Sequence, residues 1–228
     1  VKDVHGRFKA DQSLAYQHDF LSIPVVNYYI KEVALVLKDH FPEMEIEQRS
    51  YHFTPTYDID SAYAYKNKGI VRNICGVFKS LFQGDLNTLV DRIKVNMGFS
   101  KDPFDTYEYL LDLHKKNNLQ PVYFFLVGDY DEYDKNISLK ITEFQFLIKS
   151  VADFARVGIH PSYASNNEPE KLDKEIDKLR KVLKRDITRS RQHFLKLKFP
   201  DTYARLIDQD IDHDYTLGYA SQLGFRAS

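Results

Sequence analysis

The 228-residue chain reads as an α/β protein built on parallel strands. Three observations carry that reading. The run Pro121-Val122-Tyr123-Phe124-Phe125-Leu126-Val127-Gly128 is apolar throughout and bounded by Pro and Gly, as a strand buried on both faces is. Stripes of helical period alternate with short strand-like runs, the pattern of successive βαβ units. Polar and ionisable residues stand where those strands end, the place where parallel α/β folds gather functional side chains.

Taken in order, Ser22-Ile23-Pro24 has the form of a helix start. Val26, Tyr29, Ile30, Val33 and Leu37 then recur at helical spacing until Phe41-Pro42 ends the run. Strand character is expected from Glu45 to Ile59, helix from Tyr63 to Phe82 with interruptions at Gly69 and Gly76, and a short helix from Asn87 to Val95. Phe104, Tyr107, Leu111 and His114 mark another amphipathic helix, in which His114 extends the apolar stripe and reads as a packed or boundary residue and not as a ligand. After the 121–128 strand, Ile141, Phe144, Ile148, Val151 and Ala155 define one helix face, and Val157-Gly158-Ile159 is a strand ending at His160-Pro161. Pro169 opens a helix with the stripe Leu172, Ile176, Leu179 and Leu183; its charges, the densest in the chain, read as a solvated face. A strand from Ile187 to Ser190 ends at Arg191-Gln192-His193, a brief helix covers Tyr203 to Ile207, and a last strand is expected from Tyr215 to Tyr219.

Composition narrows the function classes. A formal net charge of -1, with Lys and Arg distributed throughout, gives no electrostatic footprint for nucleic acid or an anionic membrane. Cys75 is the single cysteine, so no internal disulfide or cysteine-cluster metal site can form. No apolar run has the length of a membrane span, and no signal peptide is visible. Sixteen Tyr and sixteen Phe without Trp suit a sugar-lined cleft or a packed core equally.

Chemistry concentrates in Thr56-Tyr57-Asp58-Ile59-Asp60. Alternate residues of a strand share a face, so Asp58 and Asp60 point the same way, with Thr54, Thr56 and His52 on that side. Paired carboxylates repel unless a cation or a shared proton relieves them, which suits a metal site beside a general base. A bare Asp-x-Asp is more often two solvated acids in a turn. Here His160, and Arg191 with His193, stand at two further strand ends, and the three clusters together point to a site.

The order of Thr-Tyr-Asp-Ile-Asp, Tyr-Phe-Phe-Leu-Val-Gly, Gly-Ile-His-Pro-Ser and Ser-Arg-Gln-His resembles the polysaccharide deacetylase (NodB-homology) family, in its bacterial branch with an Asp-x-Asp first motif. The resemblance runs from about residue 51 to the end of the chain. It divides the chain into a helical extension or the end of an upstream region at 1–48, and a deacetylase-like domain at 49–228 that stops before its last motif. It implies a distorted, incomplete (β/α) barrel, a divalent metal (zinc first, with cobalt, nickel or iron as alternatives) and hydrolysis of N- or O-acetyl groups on a carbohydrate. Asp58 matches the family's catalytic base, Asp60 and His160 match metal ligands, and Arg191 matches the arginine that holds the base. Metal-activated water would attack the acetyl carbonyl while Asp58 takes its proton.

Two departures qualify the match. Ala164 stands where the family has its second histidine, with Ser162, Tyr163 and Ser165 as poor substitutes, so His193 is the candidate third ligand. No histidine matches the family's late general acid; His213 in Asp-Ile-Asp-His-Asp is expected in a solvated loop. The competing function is a catalytically decayed carbohydrate-binding or scaffolding domain, favoured by Ala164. The expected partner is an acetylated carbohydrate, with neither nucleic acid nor a membrane span. A missing final strand would leave a barrel edge open to self-association.

Overall fold

The computed structural model describes residues 2–47 and 50–227. In chain order the elements are α1 (Leu14–Gln17), α2 (Val25–His40), β1 (Thr56–Ile59), α3 (Ile70–Phe82), α4 (Leu86–Asn96), α5 (Tyr107–Lys116) and β2 (Val122–Phe125). They continue with α6 (Thr142–Ala152), β3 (Arg156–Ile159), α7 (Pro169–Leu183), β4 (Arg189–Ser190), α8 (Asp201–Asp208) and β5 (His213–Asp214).

The five strands form one sheet in the order β1-β2-β3-β4-β5, every neighbouring pair parallel. Sequential order joined by right-handed crossovers puts the connecting helices on one side and curls the sheet, so the architecture is an incomplete (β/α) barrel. β1 and β5 are its two edges. The Arg191 side chain links the two. Arg191, just past β4, donates Nη1 to Asp58 and Nη2 to Thr56 on β1, and Nε to the Tyr215 carbonyl just past β5.

Both faces of β2 are buried, as its unbroken apolar run predicts. Tyr123 and Phe125 join the cluster under the helices with Phe144, Ile148, Ile176 and Leu179. Phe124 shares the register of Asp58 and Gly158, and its ring lies under the Arg191 guanidinium. A Cβ on Gly158 would come within 2.7 Å of that ring and of the Arg189 carbonyl, so the position has room for hydrogen only. The expected α7 stripe of Leu172, Ile176, Leu179 and Leu183 is buried, and Pro169 occupies the first turn of the helix. Its charged face is not wholly solvated, however: Glu175 is turned into the protein.

The 121–128 and 187–190 strands are shortened to Val122–Phe125 and Arg189–Ser190, and three larger departures each have a local reason. The 45–59 strand is confined to Thr56–Ile59, where pairing with β2 begins; residues 48 and 49 of that span lie outside the described residues. The 63–82 helix begins only at Ile70, because Asp102 captures the backbone N–H groups of Ala64, Tyr65 and Lys66 and holds that stretch in a loop. The last strand is His213–Asp214 instead of 215–219. The Thr216 N–H and hydroxyl both donate back to the Asp214 carboxylate, turning the chain out of the sheet. His213 therefore lies in β5, with its exposed ring on Asp212.

The N-terminal region reaches the strand-end face of the barrel. Arg7 Nη1 donates to the Phe194 carbonyl at 2.7 Å, and the His5 ring meets Tyr163 and Phe194.

Candidate metal centre

Asp60, His160 and His193 follow the carboxyl ends of β1, β3 and β4, and the curl of the sheet brings them together. One ligand atom from each lies within 4.8 Å of the others. The Asp60 Oδ1 is 3.1 Å from the Nε2 of His160 and 3.6 Å from the Nε2 of His193. Ligands about 2.0–2.2 Å from a tetrahedral ion are separated by about 3.3–3.6 Å, so these spacings suit one ion.

The backbone sets the pair of histidines. The His193 N–H donates to the Pro161 carbonyl, and the His160 Nδ1–H donates to the Arg191 carbonyl, so each strand-end turn is tied to the other. Phe194 and Leu195 adopt left-handed backbone conformations (φ 61° and 51°), and the tight turn aims the buried His193 ring back at Asp60. The Nδ1 of His193 is 2.9 Å from an oxygen of Asp134, itself buried.

These partners decide the tautomers. A carbonyl and a carboxylate only accept hydrogen bonds, so both Nδ1 atoms carry hydrogen. When neutral, each ring then presents the Nε2 lone pair to the Asp60 carboxylate. Three acceptors converge on one point, an arrangement that is unfavourable without protons or a cation between them. The donor set of two imidazoles and a carboxylate suits a divalent transition metal with open positions, and outward hydrogen bonds from ring N–H groups are the usual support of metal-binding histidines.

The electrostatics agree. Partial desolvation acts to raise the Asp60 carboxyl, but the two imidazoles beside it prevail and hold it well below the ordinary carboxylate range. Burial alone would lower His193, yet Asp134 and Asp60 push it up to about 9 without metal. The Asp60 side chain is 56% exposed while both histidines are buried, so the cluster opens toward solvent on the aspartate side. There an open cleft of about 500 Å³ runs along Asp58, Asp60, Ser61, Phe104, Thr106 and Leu110.

Asp58 lies on the same strand face as Thr56, its Oδ1 accepting from Arg191 Nη1 at 3.1 Å. Ala164 begins a short 3₁₀ turn, while Ser162 and Ser165 hydrogen-bond to one another. His52 is exposed and pairs with Ser50. His114 is buried with its Nε2 at 2.8 Å from the Tyr57 hydroxyl, as expected of a packing residue.

Three buried acids escaped the sequence reading. Asp134 orients His193 and also accepts from the Tyr163 N–H. Its signal was available, since it lies in an acidic stretch directly after the β2 strand. Asp102 accepts four backbone N–H groups, from Ala64, Tyr65, Lys66 and Phe104, and fixes the loop that leaves Asp60. Glu175 accepts from the Ser162 N–H, two residues beyond His160.

Burial is the main cause that pushes the Glu175 carboxyl up to about 7 from 4.5, with the Asp134 charge adding to it and the Ser162 hydrogen bonds opposing it. The folded protein therefore holds this proton more tightly than the unfolded chain. The associated stability is complete below about pH 4.5 and is lost as pH rises through 7, by about 3 kcal/mol in all. Glu175→Gln should remove that contribution, so that between pH 5 and pH 8 the urea midpoint falls less than in the wild type. Equal falls in both proteins would exclude Glu175 as the titrating group.

A family of unknown function (DUF7033) matches residues 1–42. No curated protein matches the chain. Among solved structures, the chain is similar to a crystal structure from Mycobacterium smegmatis whose assignment as a polysaccharide deacetylase is itself provisional. The identity is 15% and the TM-score 0.45, over 76% of this chain and 56% of that one. The chain thus spans little more than half the length of that protein.

Proposed function

We propose that the protein is a metal-dependent hydrolase that removes acetyl groups from a carbohydrate. The observation that carries this reading is the convergence of Asp60 Oδ1 with the Nε2 atoms of His160 and His193, each ring locked from behind by an acceptor. The order of the sequence motifs supports the choice of acetyl hydrolysis over other metal chemistry.

Asp60, His160 and His193 would hold the ion. When bound, a divalent metal supplies Lewis acidity that makes water a nucleophile near neutral pH and polarises a carbonyl. Asp58, two residues before Asp60 on the same strand face, takes the proton of the attacking water. Arg191 orients that base through Nη1 and is itself fixed by Thr56 and the Tyr215 carbonyl, so the carboxylate needs little reorganisation. Asp134 holds the His193 ring with its Nε2 turned toward Asp60, where it would serve as a ligand. The cleft beside Asp58 and Asp60 provides an open approach for a chain-like substrate.

The alternative of a decayed binding domain drew on Ala164. His193, on the neighbouring strand end, offers the donor that Ala164 lacks. Acetate release from N-acetylated and O-acetylated oligosaccharides, measured with added zinc or cobalt and with chelator, tests the reading. Metal-dependent release is expected; binding of the sugars with no release under any metal would favour the decayed domain. Asp134→Asn should weaken metal affinity by about 10–100-fold while the protein stays folded, read by competition with a chromogenic chelator. An unchanged affinity would remove Asp134 from the site.

A further inference from the structure

The α3–α4 hairpin carries a surface that the metal site does not use. Ile74, Phe78 and Phe82 follow one face of α3, and Leu86, Ile93 and Met97 one face of α4; all are exposed, Phe82 to 90%. Between the helices runs an open, apolar groove of about 520 Å³. Contiguous apolar surface of this kind marks a binding face.

Charge identifies what the face fits. From Lys66 to Lys101 the chain has seven Lys or Arg against only Asp85 and Asp91, a local net charge of +5 in a protein whose total is -1. Among the described residues, Lys68, Lys79 and Lys94 form no salt bridge, while Arg72 donates to the Asn136 and Lys135 carbonyls and Arg92 lies over the Tyr65 ring. Lys68 is half-buried close to Arg72, in a cavity of about 620 Å³ that adjoins the apolar groove at Gly69. The overall charge, which gave no sign of an anionic partner, conceals this accumulation. Two such hairpins facing each other would repel, so the charge opposes self-association. Among the described residues no helix is long and apolar enough to cross a membrane; a hairpin with one apolar face flanked by lysines suits the plane of the interface.

We propose that the α3–α4 hairpin docks on an anionic lipid surface, its apolar residues entering the headgroup boundary and Lys79 and Lys94 meeting lipid phosphates. Topology gives the docking a consequence. The hairpin leaves the barrel at the carboxyl end of β1, beside Asp60, and the cationic cavity is also lined by Val127, Gly128 and Asp129 past the end of β2. Docking there brings the strand-end face of the barrel close to the bilayer.

Co-sedimentation of the intact chain with phosphatidylcholine vesicles, with and without about 30 mol% phosphatidylglycerol, tests this. Binding at least about tenfold stronger to the anionic vesicles, weakened by salt, is expected. Phe82→Glu, at a site exposed enough to leave the fold intact by circular dichroism, should reduce binding about tenfold. The double variant Lys79→Glu/Lys94→Glu should abolish the preference for anionic lipid. The proposal is overturned if the folded protein ignores anionic vesicles or binds neutral ones equally. A dimer seen by light scattering and dispersed by Phe82→Glu would overturn it too, assigning the face to a second copy. Because lipid binding is read without turnover, the result is independent of whether acetyl hydrolysis is correct.

Discussion

Asp58→Asn should lower kcat by about 10²–10⁴-fold and leave bound metal at the wild-type level. The substitution keeps the shape and an oxygen for Arg191, but an amide cannot take a proton from water. The division between the two acids is the point of the test. Asp60 touches both imidazoles, whereas Asp58 touches the guanidinium of Arg191. Loss of activity and metal together would make Asp58 a ligand; retention of activity would place the base elsewhere.

Asp102→Ala is expected to cost about 3–5 kcal/mol of stability, more than a typical substitution. Its carboxylate is 2% exposed and accepts N–H groups from Ala64, Tyr65, Lys66 and Phe104 at 2.7–3.0 Å. Burial opposes its ionisation, yet those four donors hold the carboxyl below its ordinary range. Removing it leaves several amides short of a partner and frees the loop between Asp60 and α3. Urea denaturation measures the loss, and a change under 1 kcal/mol would show that water replaces the carboxylate without cost. Asp102→Asn should recover part of the loss, since one side-chain oxygen remains as acceptor.

The parallel sheet was legible because its signals are local: the unbroken apolar run of β2, the stripe on α7 and the turn residues between them. Asp60, His160, Arg191 and His193 could be singled out because each sits just past a strand, with Asp58 on β1 itself, and parallel topology carries strand ends to one face. What escaped were groups whose partners are distant in sequence. Asp102 reaches back nearly forty residues to delay the α3 helix, against the helical pattern of Tyr63 onward. Glu175 looked like one more charge on a solvated face until α7 packed against Ser162. The exposed hairpin was hidden differently: its apolar periodicity is the same whether the face is buried in a core or left open, and its charge vanished into the total.

The central claim is that Asp60, His160 and His193 together hold one metal ion. Elemental mass spectrometry of the purified protein, beside Asp60→Ala and His160→Ala, tests it most directly. The account predicts close to one equivalent of a transition metal after loading and dialysis, lost from both variants while each remains folded. No retained metal after loading with zinc or cobalt, or metal that persists unchanged in both variants, would contradict it.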